Sequence, residues 1–577
     1  MMLRHAPALG LALLLVAAPT LVACGDDGGH NGSVGDTATA PDSAGDDATT
    51  GDDVADTVAE DTTPLPEGPL AKVYPVSPTE TPDLEEVELA HLTSTDGTLV
   101  GEFARVRACV RDLEAGTHIP LDLGGFSLDI TACAPEFSAH ADARGTYLDI
   151  APPASPEEDD GKFAEIMMYH HMQVVHDYFK GVHGLTDRDS PLDALTNLQA
   201  FVDLCEQWAP FPNAAFIPRE SISELPFGIG DALDLKGDAI VFSGTDVKNF
   251  AFDASVIYHE YTHSILGATR LNGVFFDEQG LNNLPGALNE AYADYFSSTI
   301  TDRHLLGTYS LNDLGSFQIC GFELGGGGNQ ARDLVNAFSC PRDLTAEVHA
   351  DSELFSAALW AIREALGKED ADAVILQGVL ALTNSSDFTV AAESTIDAAR
   401  DLLGAEAEAT VREAFESRGL IDCPRVLAVA AVGARGLAVS VPGVADLGGA
   451  DPFRGWLPGY LQYQVEVPEG AKSLEITVDV QSGGLFGGGG TVAMDLAFKA
   501  GADPVFYQIP LVGTATSDAV VTVPVDASGK ATLAGACLTA GTWTFAIHNR
   551  GDGLAVSKIT ATTSTAEPET TNFDTCE

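Results

Sequence analysis

Basic residues are scarce in this chain of 577 residues. It has 29 lysines and arginines against 85 aspartates and glutamates, which gives a formal net charge of −56 at pH 7. Phosphate groups and anionic membrane faces are bound by clustered Lys and Arg, so this balance excludes nucleic acid as a partner and argues against docking on such a membrane face. Aromatic residues are also few, at 7%, yet 45% of the residues are hydrophobic. That is enough for a buried core in about two to four domains.

Long hydrophobic runs are missing after the first 20 residues, since none reaches the roughly 20 apolar residues of a membrane helix. Within residues 1–24, Arg4 precedes an apolar run over residues 9–18, the pattern of a signal peptide too short to span a bilayer. The segment ends in LVAC, which resembles a bacterial lipobox. The resemblance implies an exported protein anchored by a lipid on Cys24 to the bacterial cell envelope, at the outer membrane or the cell surface. Later release from that anchor is left open.

Large apolar residues are nearly absent from residues 25–69. Twelve acidic residues and no basic one lie between Gly25 and Ala71. Such a segment cannot bury enough surface to offset the entropy of ordering it, and its like charges extend it. We therefore predict a disordered acidic stalk.

Cysteine pairs of the CxxC type do not occur, which argues against a cysteine zinc site. Beyond Cys24, the remaining cysteines form an even set of eight, as expected for disulfides in an oxidising compartment. Sequence does not prove connectivity. Proximity along the chain favours the pairs Cys109–Cys133, Cys320–Cys340, Cys537–Cys576 and Cys205–Cys423.

In the rest of the chain, the sequence pattern changes twice between strand-type and helix-type spacing. Short β-type runs such as 146–150 alternate with turn residues over 70–160 and predict a β-rich lobe. Helical spacing dominates the middle region, residues 161–423. Strand-type alternation returns over 424–577 and predicts a β-sandwich. We therefore predict an α+β fold: a β-rich N-terminal lobe, a mainly helical lobe and a C-terminal β-sandwich. Within the helical lobe and at its borders, helices are predicted over 164–179, 253–269, 286–300 and 352–366.

The strongest chemical signal is the HEYTH of residues 259–263. Positions i and i+4 share one face of a helix, so His259 and His263 can bind one zinc ion. Glu260 would then point toward the metal-bound water and can act as general base. An HExxH arises by chance in roughly two such sequences per hundred, so a second signal is needed.

That second signal is the NEAYAD of residues 289–294, on another predicted helix. A catalytic zinc site takes three protein ligands and keeps a fourth position for water. Glu290 would be the third ligand, and Asp294 could accept the N–H of a metal-bound imidazole. Zn²⁺ is the predicted cofactor. Taken alone, the two acids also fit a solvated helix face.

Together the two motifs resemble those of the Glu-zincin metallopeptidases, and within them the thermolysin-like and fungalysin-like groups. The resemblance covers about residues 160–420. It implies a zinc metalloendopeptidase that hydrolyses peptide bonds of proteins or peptides and works as a monomer. It also raises Ca²⁺ as a second cofactor, because related enzymes often bind it.

The resemblance assigns further residues. The stretch VHADSE is similar to the family's downstream histidine motif, which gives His349 the role of stabilising the oxyanion of the tetrahedral intermediate. The stretch ARDL is similar to the segment whose arginine, here Arg332, binds substrate carbonyls. Asn213 and Ala214 match the edge that binds the substrate backbone.

Two departures from the family pattern stand out. The 26 residues between His263 and Glu290 exceed the gap in thermolysin, and no tyrosine lies between Ser264 and Asn289. The family tyrosine that would share the oxyanion with His349 is therefore missing. This leaves open a catalytically weak or inactive surface lipoprotein with an adhesion or binding role. A zinc aminopeptidase is also open, since nothing identifies or excludes a site for a free amine.

The C-terminal region carries a second resemblance. Its stretches GYLQY, DLAF and GTWTF are similar to the pre-peptidase C-terminal type of domain found behind secreted bacterial proteases. A generic β-sandwich is the alternative.

Overall fold

A computed structural model describes residues 68–566, apart from short gaps. The predicted signal peptide, Cys24 and all but the last two residues of the predicted stalk lie outside this range. Among the described residues, no helix is both long enough and apolar enough to cross a membrane. The gaps are 123–126, 156–157, 187, 211, 224, 226–227, 246, 268–270, 272–273, 313–316, 320–321, 325–330, 445–452, 454, 482–492 and 509–515.

The N-terminal lobe is built on a mixed five-stranded sheet. Its central strands Ala104–Val110 and Leu192–Thr196 run parallel, and most of their residues are buried, as is usual for strands covered on both faces. The strand order is Ala214–Ile217, Ala239–Phe242, Leu192–Thr196, Ala104–Val110 and Ala134–Glu136. Ala214–Ile217 is therefore an edge strand. A second sheet runs in the order Thr117–Asp122, Ser127–Ala132, Gln199–Val202 and Gln207–Pro210, and a separate pair joins Leu70–Val73 to Glu85–Glu88.

Helices dominate the middle of the chain, as predicted. In chain order they are α1 (Lys162–Asp177, prolonged by the π-helical turn Tyr178–Val182), α2 (Arg219–Ile222), α3 (Ile229–Ala232), α4 (Ala254–Leu266), α5 (Leu284–Thr301), α6 (Val348–Leu366), α7 (Lys368–Leu380), α8 (Phe388–Leu403) and α9 (Ala405–Glu416). The 3₁₀ turn Phe250–Phe252 precedes α4. The four long helices predicted from spacing are all present, with ends moved by no more than four residues.

Side-chain caps determine where α4 and α6 begin. Asp253 accepts a hydrogen bond from the Ser255 N–H at the start of α4, and Glu347 accepts one from the Ala350 N–H at the start of α6. Such caps satisfy amides that have no partner inside the helix. Helix α5 packs against both α4 and α6, and most of its residues are buried. The two capped ends therefore meet one central buried helix.

Short hairpins link these helices. Phe275–Asp277 pairs with Gly280–Asn282 between α4 and α5. The other short pairs are Leu305–Leu306 with Arg332–Asp333, and Phe317–Ile319 with Phe322–Leu324.

The C-terminal region, from Val426 onward, contains two further sheets. One has the order Val426–Ala428, Leu457–Val467, Gly541–Asn549, Met494–Ala500 and Val521–Pro524; the other has the order Val439–Val441, Leu554–Ser564, Ser473–Gln481 and Lys530–Ala534. A short pair, Tyr507–Gln508 with Thr516–Ser517, and the 3₁₀ turns Val429–Ala431 and Gly535–Cys537 complete it. The predicted α+β architecture is confirmed, while the boundaries at residues 160 and 423 stay predictions.

The strand expected at 146–150 is absent from the structure. This stretch is a turn, closed by the Thr146 N–H bound to Asp142 Oδ1 at 2.9 Å and the Ile150 N–H bound to the Tyr147 carbonyl at 3.0 Å. Tyr147 is buried although it does not belong to a strand. Local apolar content therefore misled the prediction.

The disulfide predictions are partly wrong. Cys109 and Cys133 are bonded as expected, but Cys340 is bonded to Cys423. That bond rules out both predicted pairs that used Cys340 or Cys423. The reason is tertiary: the Cys340 N–H binds the Arg418 carbonyl at 2.9 Å, which brings distant segments together. Cys205 and Cys537 are also disulfide-bonded, whereas the predicted partner Cys576 lies outside the described residues.

Candidate metal centre

Two imidazoles one turn apart on α4 form the base of the site. His259 and His263 are buried to 4% and 11% side-chain exposure, and their Nε2 atoms lie 3.1 Å apart. Two ligands held 2.0–2.1 Å from a tetrahedral zinc ion would be about 3.3 Å apart. The spacing of the two rings therefore fits one shared metal ion.

Glu290 completes a group of three from the neighbouring helix α5. Its Oε2 lies 3.2 Å from His259 Nε2, and its Oε1 lies 3.7 Å from His263 Nε2. The three ligand atoms all fall within 4.8 Å of one another. Helix packing thus brings together the three residues that the sequence predicts as ligands.

The outer nitrogens of both rings face oxygen acceptors. His259 Nδ1 lies 2.9 Å from Asp294 Oδ1, and His263 Nδ1 lies 3.0 Å from Asn289 Oδ1. An amide oxygen cannot donate, so the Nδ1 of His263 carries the proton, and the Asp294 carboxylate favours the same tautomer for His259. Both Nε2 lone pairs then converge on one point, where a cation relieves their repulsion. Buried Glu290 Oε2, which accepts no hydrogen bond from the described residues, faces the same point, so the donor set fits zinc.

Asp294 also binds an arginine from outside the two helices. Arg332 Nη1 lies 2.6 Å from Asp294 Oδ1 and 3.5 Å from Glu290 Oε2. Burial opposes ionisation of Asp294, but the charge of Arg332 and the hydrogen bond from His259 hold its pKa below the usual range. The site therefore contains a fully buried carboxylate that stays negative. Arg332, expected from sequence to bind substrate, also supports that carboxylate.

Glu260 points to the edge of the N-terminal sheet. It is 8% exposed, and its Oε2 accepts a hydrogen bond from the Phe216 N–H at 2.8 Å. Phe216 lies in the edge strand Ala214–Ile217, whose first residue is one of the two predicted to bind substrate backbone. The other, Asn213, precedes the strand and binds the Ala214 N–H through its own side chain at 2.9 Å. The strand is in place beside Glu260, but Phe216 is the residue that touches it.

His349 reaches the same centre from the first turn of α6. Its Nε2 lies 3.6 Å from Glu290 Oε2, and its side chain is 51% exposed. Its Nδ1 lies 2.7 Å from Glu347 Oε1, the carboxylate that caps the helix. Sequence analysis missed Glu347, Asn289 and Phe216, although the adjacency of Asn289 to Glu290 was a usable signal.

A second group of metal-type side chains lies elsewhere. His118, Asp129 and Asp203 come close together near the four-stranded sheet, but all three are exposed. Exposed acidic groups are common in so acidic a chain. No group among the described residues supports the calcium expectation.

Known proteins resemble this chain over parts of its length. Residues 280–420 match the family described as thermolysin metallopeptidase, alpha-helical domain. A zinc metalloproteinase of Listeria monocytogenes serovar 1/2a is 30% identical over 195 residues, which are 32% of this chain and 36% of that protein. An extracellular elastase of Staphylococcus epidermidis is 26% identical over 278 residues, which are 46% of this chain and 48% of that protein. The chain thus covers less than half the length of either relative.

A solved structure, the precursor of protealysin, a metalloproteinase from Serratia proteamaculans, is 17% identical. The match covers 57% of this chain and 91% of that chain, with a TM-score of 0.34. So low a score supports no further argument.

Proposed function

We propose that this chain, a thermolysin-like zincin, is an exported zinc metalloendopeptidase that cleaves peptide bonds within proteins. The observation that carries the proposal is the convergence of the His259 and His263 Nε2 atoms and the Glu290 carboxylate on one point. These three residues would hold the metal. A zinc ion held there would polarise a carbonyl and lower the pKa of a water molecule.

Glu260 is the proposed general base. It follows the first ligand directly on α4, and the Phe216 N–H fixes one of its carboxylate oxygens at 2.8 Å. A base held in one orientation can take a proton from water and return it to the leaving amine. Proton transfer by a positioned side chain commonly raises the rate about 10²–10⁴-fold, so loss of Glu260 should lower turnover by a similar factor.

His349 and Arg332 are proposed to stabilise negative charge on the carbonyl oxygen. Both lie within 3.6 Å of Glu290 Oε2, so both are beside the metal ligands. One donor aimed at a developing oxyanion commonly contributes about 2.7–4 kcal/mol. The half-exposed side chain of His349 is accessible to a substrate from solvent.

The edge strand Ala214–Ile217, with Asn213 before it, is the proposed binding site for the substrate backbone. An extended peptide can add to an exposed sheet edge by main-chain hydrogen bonds. This strand is hydrogen-bonded to Glu260, so a peptide that pairs with it would pass the base. Binding along a strand favours cleavage inside a chain over removal of one terminal residue.

Export and lipid anchoring complete the proposal. The signal-peptide pattern and the lipobox-like LVAC support a lipid on Cys24, and one relative is described as extracellular. The acidic stalk would then hold the enzyme away from the membrane. Intact-mass analysis of the protein from the membrane fraction tests this. Wild type should carry the added mass of the lipid, and Cys24→Ser should lack it.

The decisive experiment is proteolysis by the soluble chain starting near residue 25. We expect cleavage of casein and of a peptide blocked at its N-terminus, loss of both activities on zinc chelation, and recovery with added zinc. Glu260→Gln should keep stoichiometric zinc but lower kcat/KM by about 10²–10⁴-fold. The exposed Glu369 provides the matched control, and Glu369→Gln should behave as wild type.

Three results would contradict the proposal. Chelator-resistant activity would exclude the metal centre, and full activity of Glu260→Gln would exclude the base. Cleavage of free but not blocked peptides would replace the endopeptidase by an aminopeptidase.

A further inference from the structure

We propose that the C-terminal β-module (residues 424–566) is part of the catalytic unit, and that its Arg435 is a positioning residue for His349. The inference rests on the proposed function, because it takes His349 to act in the reaction. It goes beyond that function by giving the module a role at the active site instead of on a separate binding surface.

Arg435 reaches from the turn before the strand Val439–Val441 into the helical lobe. Its Nη1 donates to the Ala350 carbonyl at 2.9 Å and to the Asp343 carbonyl at 3.1 Å. Its Nη2 donates to Glu353 Oε1 at 2.8 Å, and the side chain is only 8% exposed. A planar guanidinium can hold several acceptors at fixed angles, which a lysine cannot do. One residue of the module thus fixes three groups of the helical lobe.

Two of these groups belong to the first turns of α6, where His349 lies. Glu347 accepts the Ala350 N–H at 2.9 Å through one carboxylate oxygen and lies 2.7 Å from His349 Nδ1 through the other. Arg435 holds the carbonyl of the same Ala350. The residue next to His349 is therefore held at both its N–H and its C=O, and Arg435 supplies the second restraint.

Arg435 also neutralises a carboxylate, Glu353, whose charge acts on Arg332. Glu353 interacts with both arginines, whereas Asp294 binds Arg332 Nη1 at 2.6 Å. Burial raises the pKa of Glu353, and Arg435 and Arg332 oppose the rise. Arg435 therefore satisfies the charge of Glu353, while Arg332 has Asp294 as its nearest carboxylate.

A second contact anchors the module near the other metal-bearing helix. Arg425, with a side chain 4% exposed, binds Asp277 Oδ1 at 2.5 Å and donates to the Leu281 carbonyl. Both acceptors lie in the hairpin between α4 and α5. A Cβ added to Gly280 of this hairpin would come within 3.0 Å of Pro458 Cγ in the module. The module thus contacts both the hairpin before α5 and the start of α6, so the backbone that carries Arg435 is anchored at a second place.

The experiment compares wild type with Arg435→Met and Arg435→Lys in the zinc-loaded soluble chain. We expect Arg435→Met to lower kcat at least about tenfold, with KM within twofold and zinc content unchanged, because small misplacements of catalytic groups cost rate more than binding. Arg435→Lys should recover part of the loss. In a His349→Ala background, Arg435→Met should cost less than twofold, since residues that act through one another are not additive.

The matched control is Arg550, an exposed arginine of the same module that binds Asp495. Arg550→Met should leave kcat unchanged. Hydrogen exchange gives a readout independent of turnover: Arg435→Met should speed exchange over residues 345–353 and leave residues 254–266 unchanged. If Arg435→Met does not fold, Arg435→Lys is compared in the same way.

An unchanged kcat in Arg435→Met, or an equal loss with and without His349, would overturn the inference. If wild type shows no zinc-dependent cleavage, the proposed function fails. Hydrogen exchange still decides the positioning role, because unaltered exchange over 345–353 would reject it.

Discussion

His263 Nδ1 and Asn289 Oδ1 lie 3.0 Å apart across the interface between α4 and α5. This bond fixes the tautomer of the His263 ring, and its acceptor is the residue that precedes the proposed metal ligand Glu290. Two consecutive residues of α5 therefore act on the site: Asn289 orients the His263 imidazole, and Glu290 supplies the carboxylate. Supporting contacts of this kind commonly change metal affinity or activity by 10–100-fold.

Replacing that acceptor should weaken metal binding. We expect Asn289→Leu to raise the zinc dissociation constant about 10–100-fold, because His263 loses the acceptor that fixes its tautomer. Competition titration with a fluorescent zinc indicator measures this constant. Asn289→Asp keeps an oxygen in the same place and should bind zinc about as tightly as wild type. Equal affinity of the Leu variant would show that the contact has no part in the site.

Asp294 should matter for stability even without metal. Asp294→Asn leaves the buried Arg332 without its closest counter-charge, and such losses commonly cost about 3–5 kcal/mol. Urea denaturation of the zinc-free protein should show this decrease in the free energy of unfolding. The double variant Asp294→Asn/Arg332→Met should recover part of it, because no unpaired arginine remains. A double variant less stable than Asp294→Asn would contradict the ion-pair explanation.

Acid should destabilise the C-terminal module through His548. Burial lowers the pKa of this imidazole to about 3, while the ring stacks on Trp456 with centroids 3.8 Å apart and bonds to the Tyr507 hydroxyl at 2.8 Å. Between about pH 6.5 and 3, the unfolded chain binds a proton at His548 that the folded chain excludes. Stability from this group is thus present above pH 6.5 and decreases by about 1.4 kcal/mol per pH unit as pH falls.

The check is the pH dependence of unfolding in wild type and His548→Phe. The phenylalanine can stack on Trp456 but cannot titrate, so its curve should be shallower between pH 6.5 and 3. Parallel curves would mean that His548 does not contribute to the acid sensitivity.

The bond between Cys340 and Cys423 should stabilise the helical lobe. It closes a loop with a sequence separation of 83 residues, for which chain entropy predicts about 4–5 kcal/mol in the free energy of unfolding. The double variant Cys340→Ala/Cys423→Ala should lose a large part of this, measured by denaturant unfolding without reductant. Peptide mapping should recover the linked peptides from wild type, and their absence would contradict the pairing.

The grouping of the three proposed metal ligands was predictable because its geometry is mostly local. His259 and His263 share a helix face by spacing alone, and Glu290 follows on the next long helix. The family resemblance also predicted His349, whose Nε2 lies 3.6 Å from Glu290 Oε2. The pairing of His259 with His263 needed only helix periodicity and the ligand preferences of zinc.

Contacts made by packing were not predictable in this way. Phe216 touches Glu260 because an edge strand lies beside α4, and nothing in its residue type signals that. The bond between Cys340 and Cys423 depends on how the end of α9 returns to the start of α6. Arg435 has an unremarkable sequence context, yet three hydrogen bonds give it a buried position between the two lobes.

The hydrogen bond from Phe216 to Glu260 has a consequence for how a cleavage position is selected. If a substrate pairs with Ala214–Ile217, its register is measured along the same backbone that orients the base. A small shift of the strand would move the bound peptide and the Glu260 carboxylate together. The distance from the base to the scissile bond would then change little when the sheet moves. The peptide bond that is cleaved would then depend on which register of the substrate on the strand gives the best side-chain fit.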